Sequence, residues 1–280
     1  MVDRSDRGVL RIDGADRLSW LHSLTTQHLE QLPPDRPTEA LVLSPHGHVE
    51  HHLVLHDDGT RTWIDVEPGT AKDLLAFLDS MRFLLRVEPV DVTDDFAVVT
   101  LLGPASLDAL AAASLPEATV ARGRRWPVGS VDLLVPRGAD VLPDLARAGE
   151  WSYDALRVAA REPRLGRETD HKTIPHEVGW LDSAVHLDKG CYRGQETVAR
   201  VHNLGRPPRR LVLLHLDGTD VELPGHGASV EWEGAPVGFA GTVVRHYELG
   251  PIALALVKRT TPDDAPLVLM GTAARIEPAA

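Results

Sequence analysis

Residues 189–196 read Lys-Gly-Cys-Tyr-Arg-Gly-Gln-Glu, and a helical pattern begins at the second glycine of this octet. Gly190 and Gly194 allow the tight backbone path that leads into a helix. The first turn of a helix offers unpaired N–H donors and the positive end of the helix dipole. Cys191 stands just before that end and two residues from Lys189, and both features favour the thiolate. The octet therefore indicates a reactive thiol, with a buried structural cysteine as the alternative.

The predicted secondary structure changes after the octet, from mixed helices and strands to short strands. The helix is predicted over residues 194–203, because Gly205 and Pro207-Pro208 stop it. Short segments typical of antiparallel strands follow: RLVLLHL, ASVEW, PVGFAGTVVRH, PIALALVK and PLVLM. Residues 206–280 are therefore predicted to form a small all-β domain, a barrel.

The chain before the octet mixes strands and helices. Helical patterns are predicted after Asp13 as far as Leu24, from about Thr70, near 105–113 and from near Ser152 to Ala160. Strand-like segments lie between them: 8–12, 40–44, 49–56, 60–66, 86–92, 96–103 and 131–135. Three of these, from residue 40 to residue 66, form an antiparallel meander. This is an α+β pattern and not the regular βαβ alternation of a dinucleotide-binding fold.

The composition limits the compartment and the partners. The 280 residues are 43% hydrophobic, enough for a sizeable core. A formal net charge of −12 repels nucleic acid and anionic membranes, so neither is an expected partner. The single cysteine excludes an intrachain disulfide and a CxxC metal motif. The start is charged and no apolar run reaches about 18 residues, so we expect a cytoplasmic protein.

The octet resembles the signature K-G-C-Y-x-G-Q-E of the YgfZ family, and every fixed position is present. The flanking segments extend this resemblance over essentially the whole chain: LRIDGADRLSWLHSLTTQ, LSPHGHVEHHLVL, GRETDHKTIPHEVGWLDSAVHLD, ETVARVHNLGRPPRRLVLLHLDG, GFAGTVV and PIALALVKR. YgfZ proteins are folate-binding relatives of the glycine-cleavage T-protein, an aminomethyltransferase, within the YgfZ/GcvT superfamily.

The resemblance implies a fold and a cofactor. The fold is α+β, with two ferredoxin-like α+β units plus a C-terminal antiparallel β-barrel, arranged around a central hole that holds tetrahydrofolate or a derivative. The folate-binding body is expected over residues 1–205, as two intertwined subdomains, 1–38 with 150–205, and 39–149. The barrel is expected over residues 206–280.

The resemblance also implies site residues. In the T-protein a glutamate of a P-x-E-A-G-like segment reads the pterin ring, and the matching segment here places Glu177 in that role. A carboxylate can accept two parallel hydrogen bonds from a pterin amide and amine, although most glutamates are simply solvated. Lys189 falls near a basic residue that contacts folate; it could equally polarise Cys191 or be an ordinary surface lysine.

The signature itself supplies the remaining candidates. Cys191 is the candidate catalytic or redox thiol. The motif residues are Lys189, Gly190, Cys191, Tyr192, Gly194, Gln195 and Glu196.

Two departures from the T-protein pattern bear on activity. A paired Asp-Asp that the T-protein needs for aminomethyl transfer falls on His51-His52. A neutral histidine with a pKa near ~6.5 does not hold a developing cation as well as an aspartate does. The sequence therefore argues against glycine cleavage, and whether any reaction is catalysed stays open. Thr26-Gln27 stands where many relatives carry Asn-Asp, which weakens the carry-over of polar contacts from the first helix.

Three classes of function remain. The resemblance implies a tetrahydrofolate-binding accessory protein for assembly or repair of iron–sulfur enzymes, including tRNA-modifying ones. Its partners would be a folate and iron–sulfur client enzymes or assembly factors. Because a cluster normally needs four ligands, one cysteine allows only a transient, shared or indirect cluster role. The alternatives are a folate-dependent one-carbon transferase or demethylase, and a scaffold that binds no folate.

Two other clusters carry weaker hypotheses. Imidazoles bind zinc, nickel and copper, and one segment is rich in them: His46, His48, His51, His52 and His56. No supporting Cys or carboxylate pattern accompanies them, so a polar strand face is the favoured interpretation and no metal site is expected. Two basic runs could receive a polyglutamate tail or RNA phosphate, although such runs are usually solvated and paired: Arg122, Arg124, Arg125, and Arg206, Arg209, Arg210.

Overall fold

The computed structural model describes residues 1–34, 36–116, 119–124, 129–142, 144–218 and 222–278. The chain divides into two compact units, each interwoven in sequence. Unit 1 comprises residues 1–44, 50–150 and 183–193, and unit 2 comprises residues 45–49, 151–182 and 194–280. The octet is shared between them, because Lys189 to Arg193 belong to unit 1 and Gly194 to Glu196 belong to unit 2.

Unit 1 contains two antiparallel sheets within the described residues. Its strands are β1 (Val2–Arg4), β2 (Gly8–Asp13), β3 (Thr38–Leu43), β4 (Val49–Asp57), β5 (Arg61–Val66), β6 (Glu88–Asp91), β7 (Phe96–Leu102), β8 (Val120–Arg124) and β9 (Ser130–Pro136). Its helices are α1 (Arg17–Leu24), α2 (Ala71–Ser80) and α3 (Ser106–Ala112). The five-stranded sheet has the order β3-β4-β5-β2-β6, and the four-stranded sheet has the order β1-β7-β9-β8.

The main core of unit 1 follows from two periodicities. Leu10 and Ile12 of β2 are two residues apart, so their side chains lie on one face of the sheet, and both are fully buried. Leu74 and Leu78 of α2 are four residues apart on one helical face and are buried in the same cluster, together with Trp20 of α1. Each of these aliphatic side chains contributes roughly 1.5–3 kcal/mol by leaving water.

A buried ion network joins the two sheets of unit 1. Arg7 donates to Asp65 of β5 at 2.5 Å and to Glu67 at 2.9 Å, and Arg122 of β8 pairs with the same aspartate. Burial raises the pKa of Asp65, but Arg122 and Arg7 outweigh it, so this pKa lies below its usual value. Arg122 belongs to the first basic run, and its burial in an ion network removes it from any solvent-facing anion site.

Unit 2 carries the barrel. Its helices are α4 (Glu150–Ala159), α5 (Trp180–Ala184) and α6 (Gln195–Leu204), of which α4 and α5 cross its border with unit 1, and a 3-10 turn spans Pro175–Glu177. Its strands are β10 (Arg209–Leu216), β11 (Ser229–Trp232), β12 (Ala235–His246), β13 (Gly250–Lys258), β14 (Leu267–Leu269) and β15 (Thr272–Ile276). They close in the order β10-β13-β12-β11-β14-β15, so the predicted barrel is confirmed.

The alternation of β10 shows how the barrel is stabilised. Val212 and Leu214 point into the barrel core, whereas Leu213 joins an outer cluster with Ala155 and Val158 of α4. The strand is therefore apolar on both faces, since one face fills the barrel and the other packs on a helix.

The secondary structure matches most of the predicted segments. The meander is present as β3, β4 and β5, and α2, α4 and α6 lie where helices are predicted. Strands β1, β8 and β15 and helix α5 were not predicted. Within the described residues, no helix has the length and apolarity needed to cross a membrane.

Candidate functional site

The octet forms an exposed turn followed by a helix, as predicted. Gly194 is the N-cap of α6 and has φ = 82°, a left-handed conformation that a residue without a Cβ adopts readily. Cys191 is a free cysteine on the surface, which agrees with an accessible thiol and not with a buried structural one. The adjacent Tyr192 is buried, and burial raises its pKa to about 12.

Lys189 is buried and its ammonium has a specific role in unit 1. It donates to the carbonyl oxygens of His22 and Thr25, the latter at 2.5 Å. These carbonyls lie at the C-terminal end of α1, where helix carbonyls lack intrahelical partners and a cation is favoured. Burial lowers the pKa of Lys189 to about 8, partly offset by Glu30. Lys189 therefore caps α1; its contact with a folate stays a prediction.

The loop after α1 forms hydrogen bonds with residues 184–186, which lead to the octet. Thr26 donates its hydroxyl hydrogen to the carbonyl of Ala184 at 2.6 Å and accepts the N–H of Leu41 at 2.9 Å. The N–H of His186 donates to the Thr26 carbonyl at 2.9 Å. Thr26, noted above as a departure from the relatives' Asn-Asp, thus has a structural role between α1, β3 and the approach to Lys189.

His51 and His52 occupy opposite faces of β4. The Nε2 of His52 lies 3.2 Å from Oε2 of Glu39, and the same oxygen accepts the Ser183 hydroxyl at 2.9 Å. The Nδ1 of His51 is buried and has no hydrogen-bond partner within the described residues. Burial lowers the pKa of His51 below its usual value. Neither position supplies a fixed negative charge, which is consistent with the argument against aminomethyl transfer.

The turn of the second motif packs on the octet's helix within unit 2. Gly47 has φ = 81°, and a Cβ on it would lie 2.7 Å from Cβ of Thr197 and 3.3 Å from the carbonyl of Gly194. Only glycine fits this contact without a shift of α6. The rings of His46 and His48 flank this turn, with centroids 6.2 Å apart.

Glu177 lies in the 3-10 turn of unit 2 and is 2% exposed. Arg209 of β10 donates from Nε to Oε1 at 2.9 Å and from Nη2 to Oε2 at 2.8 Å. The N–H of Ile174 also donates to Oε2, at 3.1 Å. A carboxylate has about four acceptor positions, and three are used here. Glu177 is therefore fixed in orientation and keeps acceptor capacity for one further donor, not for the two parallel hydrogen bonds that the resemblance implies.

Asp170 completes this network on the other side of Arg209. Nη1 of Arg209 donates to Asp170 Oδ2 at 2.6 Å, and Nη2 donates to Oδ1 at 3.1 Å. Burial opposes both charges, but their mutual hydrogen bonds prevail, so the pKa of Arg209 is raised and the pKa of Asp170 is lowered. Sequence reasoning had treated Arg209 only as part of a basic run, and it did not single out Asp170.

His176 stands beside Glu177 with unused hydrogen-bonding capacity. Both of its ring nitrogens are buried and lack a hydrogen-bond partner within the described part of the chain. Its ring centroid lies 6.5 Å from that of His202 on α6. Burial and His202 lower the pKa of His176. Orphaned polar atoms next to an oriented carboxylate are what a heteroaromatic ligand with several donors and acceptors would satisfy, so these residues fit a pterin.

The other basic residues of the two runs differ in their surroundings, and Arg206 is exposed. Arg210 donates to the Thr261 carbonyl at 2.8 Å and pairs with Asp263 at 2.6 Å. Arg125 lies outside the described residues, and the side chain of Arg124 is not described.

Comparisons with known proteins identify the family. No family model matches the chain. It is 30% identical over 296 residues to an aminomethyltransferase of Geobacillus kaustophilus, an alignment that covers 92% of this chain and 79% of that protein. The chain belongs to the aminomethyltransferase family.

Two further comparisons give a relative and a structure with the same fold. A mitochondrial protein of Dictyostelium discoideum, named iron-sulfur cluster assembly factor IBA57 homolog, is 24% identical over 260 residues, covering 79% of this chain and 64% of that protein. The crystal structure of glycine cleavage system aminomethyltransferase T from Bartonella henselae superposes with a TM-score of 0.85 at 16% identity, covering 99% of this chain and 84% of that chain. The predicted α+β fold with a C-terminal barrel is thereby confirmed as the aminomethyltransferase fold.

The relatives are longer than this chain. It spans 57% to 64% of the length of several curated relatives that it matches. The match therefore does not by itself assign the activities or partners of those whole proteins to this chain.

Proposed function

We propose that this aminomethyltransferase-family chain is a YgfZ-type accessory protein that binds tetrahydrofolate or a derivative and supports assembly or repair of iron–sulfur enzymes, including tRNA-modifying ones. The observation that carries the proposal is the exposed thiol of Cys191, held in an octet that matches the YgfZ signature at every fixed position. A relative named as an iron–sulfur cluster assembly factor supports the same function.

The cluster or its iron would be cargo and not a resident group. One thiolate supplies one of the four ligands that a cluster normally has, so Cys191 would act together with ligands from a client or carrier protein. A lone exposed cysteine is most durable in a reducing compartment, which supports placing this function in the cytoplasm.

A folate would be held through unit 2. Glu177 would accept a donor of the pterin ring, and His176 would pair with its polar edge, while Arg209 keeps the Glu177 carboxylate oriented. A bound folate supplies one-carbon carrier chemistry. Lys189 acts in unit 1, where its bonds to two α1 carbonyls support a structural role beside the predicted folate contact.

The iron–sulfur function is tested by genetic complementation. In a strain that lacks this gene, the wild-type chain should restore tRNA methylthiolation and the Cys191→Ala variant should not. Asn203→Ala, an exposed position on α6, is the matched control and should restore activity. Full complementation by Cys191→Ala would contradict a role for the thiol.

The alternative is a folate-dependent one-carbon transferase or demethylase. Family membership favours it, whereas the absence of an acidic pair at His51-His52 opposes it. Incubation of the pure protein with tetrahydrofolate and glycine-like substrates, with detection of methylene-tetrahydrofolate or formaldehyde, separates the two functions. Turnover that depends on His52 would support the transferase.

A further inference from the structure

Three potential metal ligands converge at the C-terminal end of α1 in unit 1. His22 lies in the last turn of the helix, and His28 and Glu30 follow in the loop. One ligand atom from each lies within 4.8 Å of the other two. The side chains of these three residues have no role in the proposed folate and thiol functions, although the carbonyl oxygen of His22 accepts from Lys189.

A fourth candidate comes from the segment that leads to the octet. The ring centroid of His186 lies 5.4 Å from that of His28, and the ring centroid of His22 lies 4.8 Å from that of His28. His186 is exposed, so its side chain is free to rotate towards the other three.

The ring spacing agrees with coordination of a common ion. In a tetrahedral site with metal–nitrogen bonds of about 2.0–2.1 Å, the ligand nitrogens lie roughly 3.4 Å apart and the ring centroids roughly 5 Å apart. The observed centroid distances of 4.8 Å and 5.4 Å bracket the second value. The ligand atoms therefore need only small side-chain rotations to reach bonding distance.

We propose that His22, His28 and Glu30, with His186 as fourth ligand, form a binding site for a divalent transition metal ion of the Zn²⁺ class. Imidazole nitrogens with one carboxylate suit Zn²⁺, Ni²⁺ or Cu²⁺ better than Mg²⁺ or Ca²⁺, which prefer oxygen ligands alone. The site lies beside Lys189, the predicted folate contact, whose ammonium donates to the carbonyl oxygen of His22, but its proposed ligand side chains are not those of the proposed folate and thiol functions.

The local fold preorganises the cluster. Leu29 is fully buried between the two loop ligands, so it fixes His28 and Glu30 at the surface on either side of it.

Two contacts limit the affinity. The N–H of Leu29 donates to Nδ1 of His22 at 3.2 Å, and this long bond must be given up when the ring coordinates a metal. The ammonium of Lys189 also repels a cation, and the carboxylate of Glu30 offsets that charge. We therefore expect a dissociation constant of roughly 10 μM or below, weaker than that of a structural zinc site.

The test uses the full chain without a histidine tag. Zn²⁺ titration against a competing chromophoric chelator should give one bound ion, and Co²⁺ should give the visible absorption of a four-coordinate site. His28→Gln and Glu30→Gln should each weaken Zn²⁺ binding at least about tenfold, and His186→Gln should weaken it measurably. These positions are at least partly exposed, and circular dichroism with thermal melting verifies that each variant folds.

The controls separate this site from other histidines. His226→Gln, at an exposed turn of the barrel unit, and the double variant His46→Gln/His48→Gln should leave Zn²⁺ affinity unchanged. Absence of saturable binding up to about 100 μM Zn²⁺, unchanged affinity in His28→Gln, or loss of binding in the His46/His48 variant would overturn the proposal.

Discussion

Arg209 binds both carboxylate oxygens of Glu177, with Nε 2.9 Å from Oε1 and Nη2 2.8 Å from Oε2. The guanidinium comes from the first strand of the barrel and the carboxylate from the 3-10 turn, so this pair ties the candidate pterin-reading residue to the barrel of unit 2. The side chain of Glu177 is 1% exposed, and a charge that deep requires a partner.

Removal of Arg209 should therefore destabilise unit 2 strongly. Arg209→Met leaves the Glu177 and Asp170 carboxylates without their counter-charge, and we expect a loss of about 3 kcal/mol in the free energy of unfolding. Arg210→Met is the control, because Arg210 pairs with the exposed Asp263, and it should cost at most about 1 kcal/mol. Urea denaturation of the two variants measures the difference; equal losses would show that the Glu177 pair is not special.

The buried network around Asp65 should make the free energy of unfolding depend on pH in the acidic range. The pKa of Asp65 is depressed in the folded chain, whereas in the unfolded chain it is about 3.9. Its contribution is present above about pH 4 and is lost as the pH falls from there towards the folded pKa. Asp65→Asn should lower the free energy of unfolding at pH 7 by about 3 kcal/mol and flatten its decline below pH ~4.

The matched control for Asp65 is Asp140→Asn. Asp140 pairs with Arg147, and both side chains are largely exposed, so its removal should leave stability and the acid profile close to those of the wild type. An Asp65→Asn variant whose acid profile parallels the wild type would show that other carboxylates govern acid unfolding.

Lys189 should affect stability at alkaline pH. Burial lowers its pKa to about 8 in the folded chain, and the unfolded value is about 10.4. Between these values the unfolded chain binds a proton that the folded chain does not, so the free energy of unfolding should rise with pH from about 8 to about 10.4. Lys189→Met should abolish this rise and cost about 1–3 kcal/mol at pH 7 through the uncapped carbonyls of His22 and Thr25.

Lys72 provides the comparison for Lys189. It is exposed on α2, and Lys72→Met should change neither the stability at pH 7 nor its alkaline slope. Chemical denaturation across pH 7–10 measures both quantities. A rise that persists in Lys189→Met would assign it to another group.

Cys191 should be modified in the folded protein. Because the thiol is exposed, iodoacetamide at pH 7 should label it completely without prior unfolding, and the activated-thiol hypothesis requires a rate above that of free cysteine. Mass spectrometry of timed samples gives the rate, and Cys191→Ser confirms the position. Labelling no faster than free cysteine would leave an accessible but unactivated thiol.

Local patterns predicted the elements that have strong periodicity. The stripe of Leu74 and Leu78 predicted α2, and the turn residues around Gly47 and Gly59 predicted the meander. Strand β1 has three residues, too few for a period, and β15 reads Thr-Ala-Ala-Arg-Ile, in which small residues hide the alternation. These strands are fixed by pairing with distant segments, which no local window contains.

The sequence nominated residues for the candidate site but not their contacts. The octet and Glu177 were singled out by resemblance, whereas the roles of Arg209 and Asp170 depend on a barrel strand returning to a turn more than thirty residues earlier. The bonds of Lys189 to the α1 carbonyls join residues 164 and 167 positions apart in the chain. The sequence therefore contained no sign of this capping role, and Lys189 was interpreted as a folate contact, a group that polarises Cys191 or a surface lysine. Partners at such separations follow from the tertiary fold alone.

Anaerobic calorimetric titration with tetrahydrofolate tests folate binding most directly. We expect one molecule bound per chain with a dissociation constant of about 100 μM or below, and at least about tenfold weaker binding by Glu177→Gln, which preserves the shape of the side chain while removing its charge. No saturable heat at about 1 mM tetrahydrofolate, or equal affinity in Glu177→Gln, would contradict a folate-binding function centred on this carboxylate.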